Sequence, residues 1–311
     1  MSETVHDMLP LAITCGDPAG VGPEVIERWL VDRDRSIEVE VIGPMKWLES
    51  LPDDIGKSPV GPVGFELNPG RPEAAGAQLA WDAMQYAATG CQNGRFTGVV
   101  TGPVSKSALA AVGYPHLGQT EFFATKWGGD PVMVFRSDHL RVALVTWHLP
   151  LAKVGGALTP AAIERAVQAA VQLATVDGIA EPRIAVCGLN PHAGEAGLLG
   201  GEEAELIDPV LDRLRAKVPG LSRTLPGDTV FGRAIKDDFD AVVAMYHDQG
   251  LGPLKTVDFD NAVNVTLGLP FVRTSPDHGT GFDIAGRGIA NERSFERAVT
   301  LARRLSSQPR S

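Results

Sequence analysis

Seven histidines are spread along the 311-residue chain, and three of them share one context. His148 follows the run RVALVTW, His192 follows IAVCGLNP, and His247 follows AVVAMY. Each stands at or just past the C-terminal end of an apolar stretch of strand length. In open α/β sheets, ligands bind at that edge. Three imidazoles delivered there could share one divalent cation and leave positions open for substrate. Neutral imidazole suits zinc or cobalt, and magnesium held partly by substrate oxygens stays open as a third choice. The three lie far apart in sequence, so only a fold could gather them. Taken singly, each is equally a polar loop residue.

Acids accompany these histidines. Asp248 directly follows His247, Glu195 lies three residues after His192, and Asp228 sits in Pro-Gly-Asp-Thr. Asp248 and Asp228 are candidate catalytic groups that could move a proton, orient a ligand or cap a helix. For Asp228, capping a helix over Thr229–Ile235 is a direct competitor. A separate cluster, Lys255, Asn264 and Arg273, brackets a short apolar run. Two cations and an amide suit a phosphate monoester, Arg as a planar fork and Lys as a point charge. Each alone reads as a solvated surface residue. The Gly-rich stretch from Gly16 to Glu24 joins a strand to a helix, but no GxGxxG exists. The stretch GVVTGPVSKS misses the GxxxxGK[ST] spacing, so an ATPase phosphate loop is excluded.

The elements that must position these residues alternate. Strands are expected at Leu11–Cys15, Val39–Ile42, Val99–Val100, Val132–Phe135, Val142–Trp147, Ile184–Val186, Ala241–Met245 and Val263–Leu267. Helices are expected at Glu24–Leu30, Pro72–Thr89 with Gly90 near its end, Thr159–Val176, Glu202–Lys217 and Ser294–Leu305. Thr159 reads as an N-cap with Pro160 in the first turn. The alternation points to α/β layers with a largely parallel sheet. The close pair at 132–147, with Asp-His between, reads as a hairpin and makes the sheet mixed.

Composition narrows the classes further. The formal net charge of −10 disfavours a nucleic-acid partner. Cys15, Cys91 and Cys187 form no CxxC pair and read as buried free thiols. The N-terminal stretch, which includes His6, carries acid where a signal peptide carries basic charge, and no apolar run approaches a membrane span. A cytoplasmic protein without membrane contact is expected.

Five long motifs carry a family resemblance: CGDPAGVGPE (15–24), VTGPVSK (100–106), GLNPHAGE (188–195), MYHDQGLGPLK (245–255) and NVTLGLPFVRTSPDHGTGFDIAGRG (264–288). Together they resemble the 4-hydroxythreonine-4-phosphate dehydrogenase family of vitamin B6 biosynthesis, over nearly the whole chain. The resemblance implies an isocitrate/isopropylmalate dehydrogenase-like fold of two α/β domains with an interdomain cleft. By it, residues 1–118 with 283–311 would form the first domain. Residues 119–282 would form the second, carrying metal and dimer contacts. It also implies a homodimer with the active site at the subunit interface, where His148, His192 and His247 bind a divalent metal with ligands from both subunits. Gln119, Thr120, Lys255, Asn264 and Arg273 match substrate-binding positions. The cofactor is NAD or NADP, bound without the usual glycine fingerprint, and no cofactor-contacting residue is assigned.

The implied reaction is metal-dependent oxidation of 4-phosphohydroxy-L-threonine, with decarboxylation to 3-amino-2-oxopropyl phosphate. One position departs: the family has Gly-His-Thr-Glu where this chain has Gly118-Gln119-Thr120-Glu121. Gln can hydrogen-bond but cannot titrate near neutral pH. A 4-phosphothreonate or 4-phosphoerythronate dehydrogenase is therefore an alternative, and a non-redox metal-dependent aldolase or hydrolase is a third.

Overall fold

The computed structural model describes residues 9–308, so His6 lies outside the described residues. Among the described residues there are eleven strands: β1 Leu11–Thr14, β2 Val39–Gly43, β3 Gly56–Pro59, β4 Gly98–Thr101, β5 Val132–Arg136, β6 Arg141–Leu144, β7 Ile184–Cys187, β8 Leu221–Leu225, β9 Ala241–Ala244, β10 Val263–Leu267 and β11 Val272–Pro276. Contacts divide the chain into two units. One runs up to Pro131 and resumes at Leu269; the other is Val132–Gly268.

In the first unit the strands lie in the order β3-β2-β1-β4-β11, and every pairing is parallel. Direction along the sheet reverses between β1 and β4, which makes a topological switch point, the usual place for a ligand crevice. Strands β1, β2 and β4 are buried along their whole length, as expected where helices cover both faces. The helix Ala74–Gln92 lays Ala83, Met84, Ala87 and Ala88 into a core with Ile42, Phe96 and Val99. That helix runs past Gly90 rather than ending there. The Phe96 ring lies against Gly90 so closely that a Cβ would collide with it. Gly90 is therefore a packing glycine and not a stop signal. Phe122, Phe123 and Trp127, from the helix Gln119–Trp127, join the same core. That helix consequently packs with the first unit, whose contacts run to Pro131.

In the second unit the order is β10-β5-β6-β9-β7-β8. Strands β5 and β6 form the expected antiparallel hairpin, and β10 pairs antiparallel with β5. Strands β6, β9, β7 and β8 are parallel neighbours. Thr159 caps the helix Pro160–Val176 by accepting from Ala162 N at 3.2 Å, with Pro160 at its start. The stretch 202–217 is not one regular helix. A π-helical segment, Glu203–Ile207, precedes the α-helix Asp208–Leu214. The helix His247–Asp258 follows β9 and buries Leu251 and Leu254 against Phe135, Val142, Leu144 and Val242. The three cysteines are buried thiols; burial pushes the Cys15 and Cys187 thiols up to about 12. No helix among the described residues is long and apolar enough to cross a membrane.

Candidate active site

The parallel order β6-β9-β7 puts the C-terminal ends of three adjacent strands at one edge. His148, His247 and His192 follow those ends in that order. His247 opens the helix His247–Asp258, and its ring lies 5.8 Å from that of His148, centroid to centroid. Both rings line a pocket of about 410 Å³ with Thr146, Trp147, Leu151, Tyr246 and Asp248. The His247 Nδ1 and an Asp248 carboxylate oxygen are 2.7 Å apart. This contact engages Nδ1 and leaves Nε2 to face a ligand, the usual outer-shell arrangement for a metal-binding imidazole. Asp248 also sits in the first helical turn, where a carboxylate complements the helix dipole.

His192 is exposed and is not among the residues lining this pocket. Among the described residues, no three His, Cys, Asp or Glu side chains of the chain are placed to hold a metal ion. The chain thus brings two of the three candidate imidazoles together. The donor set still fits a divalent cation: two imidazoles across one pocket, one of them fixed by a carboxylate, short of the three protein ligands of an open catalytic site by one.

Backbone conformation marks the same residues. His148 (φ 49°) and His192 (φ 52°) both occupy the left-handed region. His192 begins a run that continues through Ala193, Gly194, Glu195 and Ala196, all with positive φ. Each L-residue there costs about 1–2 kcal/mol, so the surroundings must impose the turn. Strained positions of this kind cluster at ligand-binding sites.

Two residues that the sequence did not flag hold the strand ends in place. Gln249 Oε1 accepts from Met245 N at 2.7 Å, while its Nε2 donates to Gly188 O at 2.8 Å. One amide thereby joins the ends of β9 and β7. Thr146 Oγ1 donates to Met245 O at 2.7 Å and joins β6 to β9. Both were legible only as generic polar residues after an apolar run.

Asp228 lies in the first turn of the helix Gly227–Ala234, is exposed, and does not line the pocket. The N-cap of that helix is Pro226, so Asp228 is not its capping residue. Lys255, on the helix His247–Asp258, places Nζ 5.5 Å from the centre of the Phe259 ring. Asn264 lies within β10.

The first unit holds the other candidate substrate residues. Arg273, in β11, is buried, and its Nη2 donates to Thr101 Oγ1 and to Gln119 Oε1, both at 2.9 Å. Gln119 Nε2 in turn donates to Gly102 O at 3.3 Å. These groups gather at the C-terminal end of β4, beside the switch point. Thr120 is buried in the first turn of the helix that Gln119 opens. N–H groups of a helix N-terminus and a buried guanidinium are both anion ligands. Burial pushes the Arg273 pKa down to about 10, against the opposing pull of Tyr114, Glu121 and Asp277. The neighbouring loops pack backbone on backbone: Asp17 N donates to Pro103 O at 2.8 Å, and side chains at Gly16 or Gly102 would strike main-chain atoms.

A parallel doubly wound unit and a mixed-sheet unit, each gathering candidate ligands at its strand ends, define an α/β protein of the isocitrate/isopropylmalate dehydrogenase type. A profile of the family described as pyridoxal phosphate biosynthetic protein PdxA matches residues 24–302, and the chain belongs to that family. It is 42% identical to a 4-hydroxythreonine-4-phosphate dehydrogenase of Enterobacter sp. (strain 638), over 94% of this chain and 96% of that one. The crystal structure of a 4-hydroxythreonine-4-phosphate dehydrogenase from Klebsiella pneumoniae is similar with a TM-score of 0.81 and 34% identity, covering 98% of this chain and 100% of that one. A terephthalate 1,2-cis-dihydrodiol dehydrogenase from Burkholderia xenovorans LB400 is more distant, with a TM-score of 0.70 and 26% identity over 95% and 97% of the two chains.

Proposed function

We propose that this protein is an NAD(P)-dependent dehydrogenase that oxidises 4-phosphohydroxy-L-threonine, with loss of carbon dioxide to give 3-amino-2-oxopropyl phosphate. It works as a cytoplasmic homodimer. The observation that carries the reading is the pair of imidazoles, His148 and His247, across one pocket, with Asp248 on the far nitrogen of His247. His148, His247 and His192 would hold a divalent cation, zinc, cobalt or magnesium, with a second copy of the chain completing the set. Exposed Leu149, Leu151, Leu198 and Leu199 flank His148 and His192 and support that assembly. When bound, the cation would supply Lewis acidity toward the substrate hydroxyl, and NAD(P) would supply the hydride acceptor.

The chain's own residues bind and orient. Arg273, Thr120 and Gln119 of the first unit hold the phosphorylated end, so that binding energy far from the reacting carbon fixes its approach, and Lys255 and Asn264 are kept as substrate-binding positions of the second unit. Asp248 orients the His247 ring. Asp228, the other acid weighed for proton transfer, stands outside the pocket and is left without that role in this reading. A second substrate, 4-phosphothreonate or 4-phosphoerythronate, is favoured by one feature. The Gln119 amide is engaged on both sides, by Arg273 and Gly102, and cannot titrate near neutral pH. Both readings retain a phosphorylated substrate over an aromatic dihydrodiol, because Arg273 is buried and donating.

The deciding experiment assays purified protein on 4-phosphohydroxythreonine, 4-phosphothreonate and 4-phosphoerythronate, each with NAD and NADP, by nicotinamide reduction. Fastest turnover of 4-phosphohydroxythreonine is expected. Turnover confined to a sugar acid overturns the first reading in favour of the second, and no nicotinamide reduction on any of them rejects both.

A further inference from the structure

The left-handed turn that carries His192 is built around one buried carboxylate. Glu203 is only 4% exposed and opens the π-helical segment Glu203–Ile207. Its Oε1 accepts from Asn190 N at 2.8 Å, and its Oε2 accepts from Asn190 Nδ2 at 3.0 Å. The second Asn190 proton goes to Glu202 Oε2 at 2.8 Å. The turn closes over this carboxylate. A Cβ added at Gly194 would come within 2.7 Å of Glu203 Oε2, and one at Gly188 within 3.0 Å of Oε1. A Cβ at Gly200 would collide with the Asn190 amide. Glu203 therefore fills the inside of the loop from 188 to 200, two residues from His192 through Asn190. The π-helical segment is the irregularity that aims this side chain inward, and such segments often mark functional sites.

We propose that Glu203, acting through Asn190, is a positioning residue that holds His192 in its left-handed, outward-facing pose as the third ligand of the cation site. The inference rests on the three-histidine reading above. Glu203 touches neither substrate nor cation; it sets the angle at which His192 leaves the end of β7. Gln at 203 keeps one acceptor for Asn190 and turns an amide N–H₂ against the other donor, so its effect should be intermediate. Ala at 203 takes the carboxylate from the Asn190 backbone N–H and from one Nδ2 proton, leaving Asn190 only its contact with Glu202.

The test uses full-length, metal-free protein titrated with Co²⁺. The visible spectrum reports imidazole ligation, and hydrogen exchange reports residues 190–200, both without turnover. Glu203→Ala should bind Co²⁺ about tenfold to a hundredfold more weakly, with an altered visible band and faster exchange at 190–197. Exchange around His148 and His247 should stay unchanged. Glu203→Gln and Asn190→Ala, which each retain part of the contact, should fall between, and they carry the test where Glu203→Ala does not fold. Wild-type Co²⁺ affinity, spectrum and exchange in those variants would overturn the proposal. His192→Ala separates the two levels. If it binds Co²⁺ as the wild type does, the three-histidine reading fails. If it weakens binding while the Glu203 and Asn190 variants do not, only the positioning role fails.

Discussion

Replacing Arg273 by Met should separate stability from catalysis. Arg273 is 3% exposed, and burial, only partly offset by Tyr114, Glu121 and Asp277, brings its pKa from the ordinary guanidinium range down to about 10. A displacement of that size corresponds to roughly 3 kcal/mol of unfavourable charge burial in the ligand-free protein. Met relieves that penalty but leaves Gln119 Oε1 and Thr101 Oγ1 without their donor, at about 1–3 kcal/mol each. The terms oppose, so the ligand-free stability of Arg273→Met should lie within about 3 kcal/mol of wild type. Substrate binding has no such compensation. Losing charged hydrogen bonds to a phosphate should cost about 3 kcal/mol or more, roughly a hundredfold or more in kcat/KM. The loss should appear mainly in KM, and Arg273→Lys should recover only part of it, because an ammonium cannot replace the planar fork. Denaturant titration and steady-state kinetics on 4-phosphohydroxythreonine and its dephosphorylated analogue make the assay. The analogue should be nearly inert with wild type and lose little more on substitution. An equal fractional loss on both substrates, or collapse of the fold with KM intact, would refute the phosphate role and make Arg273 a structural residue.

Three further outcomes are expected. His247→Ala should lose bound metal and dehydrogenase activity together, measured by elemental analysis and nicotinamide reduction; full activity after exhaustive chelation would count against the cation. Asp177→Asn should flatten the acid side of the stability profile. Burial raises the Asp177 pKa, but Arg136 and Arg141, at 3.0 and 2.6 Å, more than reverse that and hold it below the ordinary range. A lowered folded pKa gives stability that is present above the unfolded value near 4 and lost as pH falls through the folded one, so the gap between wild type and variant should narrow below about pH 4. A gap unchanged between neutral and acid denaturation would reject this account. Gly90→Ala should destabilise by about 1–3 kcal/mol through overpacking against Phe96, and adding Phe96→Leu should restore part of it; thermal unfolding of the single and double variants decides.

What could be read from the amino acids followed how local the information was. Strands β1, β2, β5, β7, β9 and β10 announce themselves because short apolar runs end at glycine or polar residues. The helix His247–Asp258 does not, because Gly250, Gly252 and Pro253 are poor helix formers and tertiary burial of Leu251 and Leu254 overrides them. Strand β11 reads as polar, since Val-Arg-Thr-Ser-Pro pairs through its backbone beside β4. The strand ends preceding His148 and His247 were visible in the sequence. The approach of the two rings needed the non-consecutive pairing of β6 with β9. That Gly90 lies near the helix end was legible, but its packing role was not, because its partner, Phe96, lies beyond the helix. The His192 turn was hidden for a related reason: its conformation is stabilised by an acid eleven residues on that looks like any solvent-facing helical glutamate.

Strand β9 is made last among the three that carry the histidines, yet it lies between the two made earlier. A chain emerging from the ribosome as far as residue 225 therefore has β6 and β7 with no strand to separate and pair them. The pairing edges of both stay unfilled until residues 241–244 arrive, and the closing step is a long-range insertion, slow by topology and open to mispairing. Nascent chains of this protein should thus depend on chaperone protection over that interval, and substitutions in Ala241–Ala244 should lower soluble yield more than their effect on the finished protein would suggest.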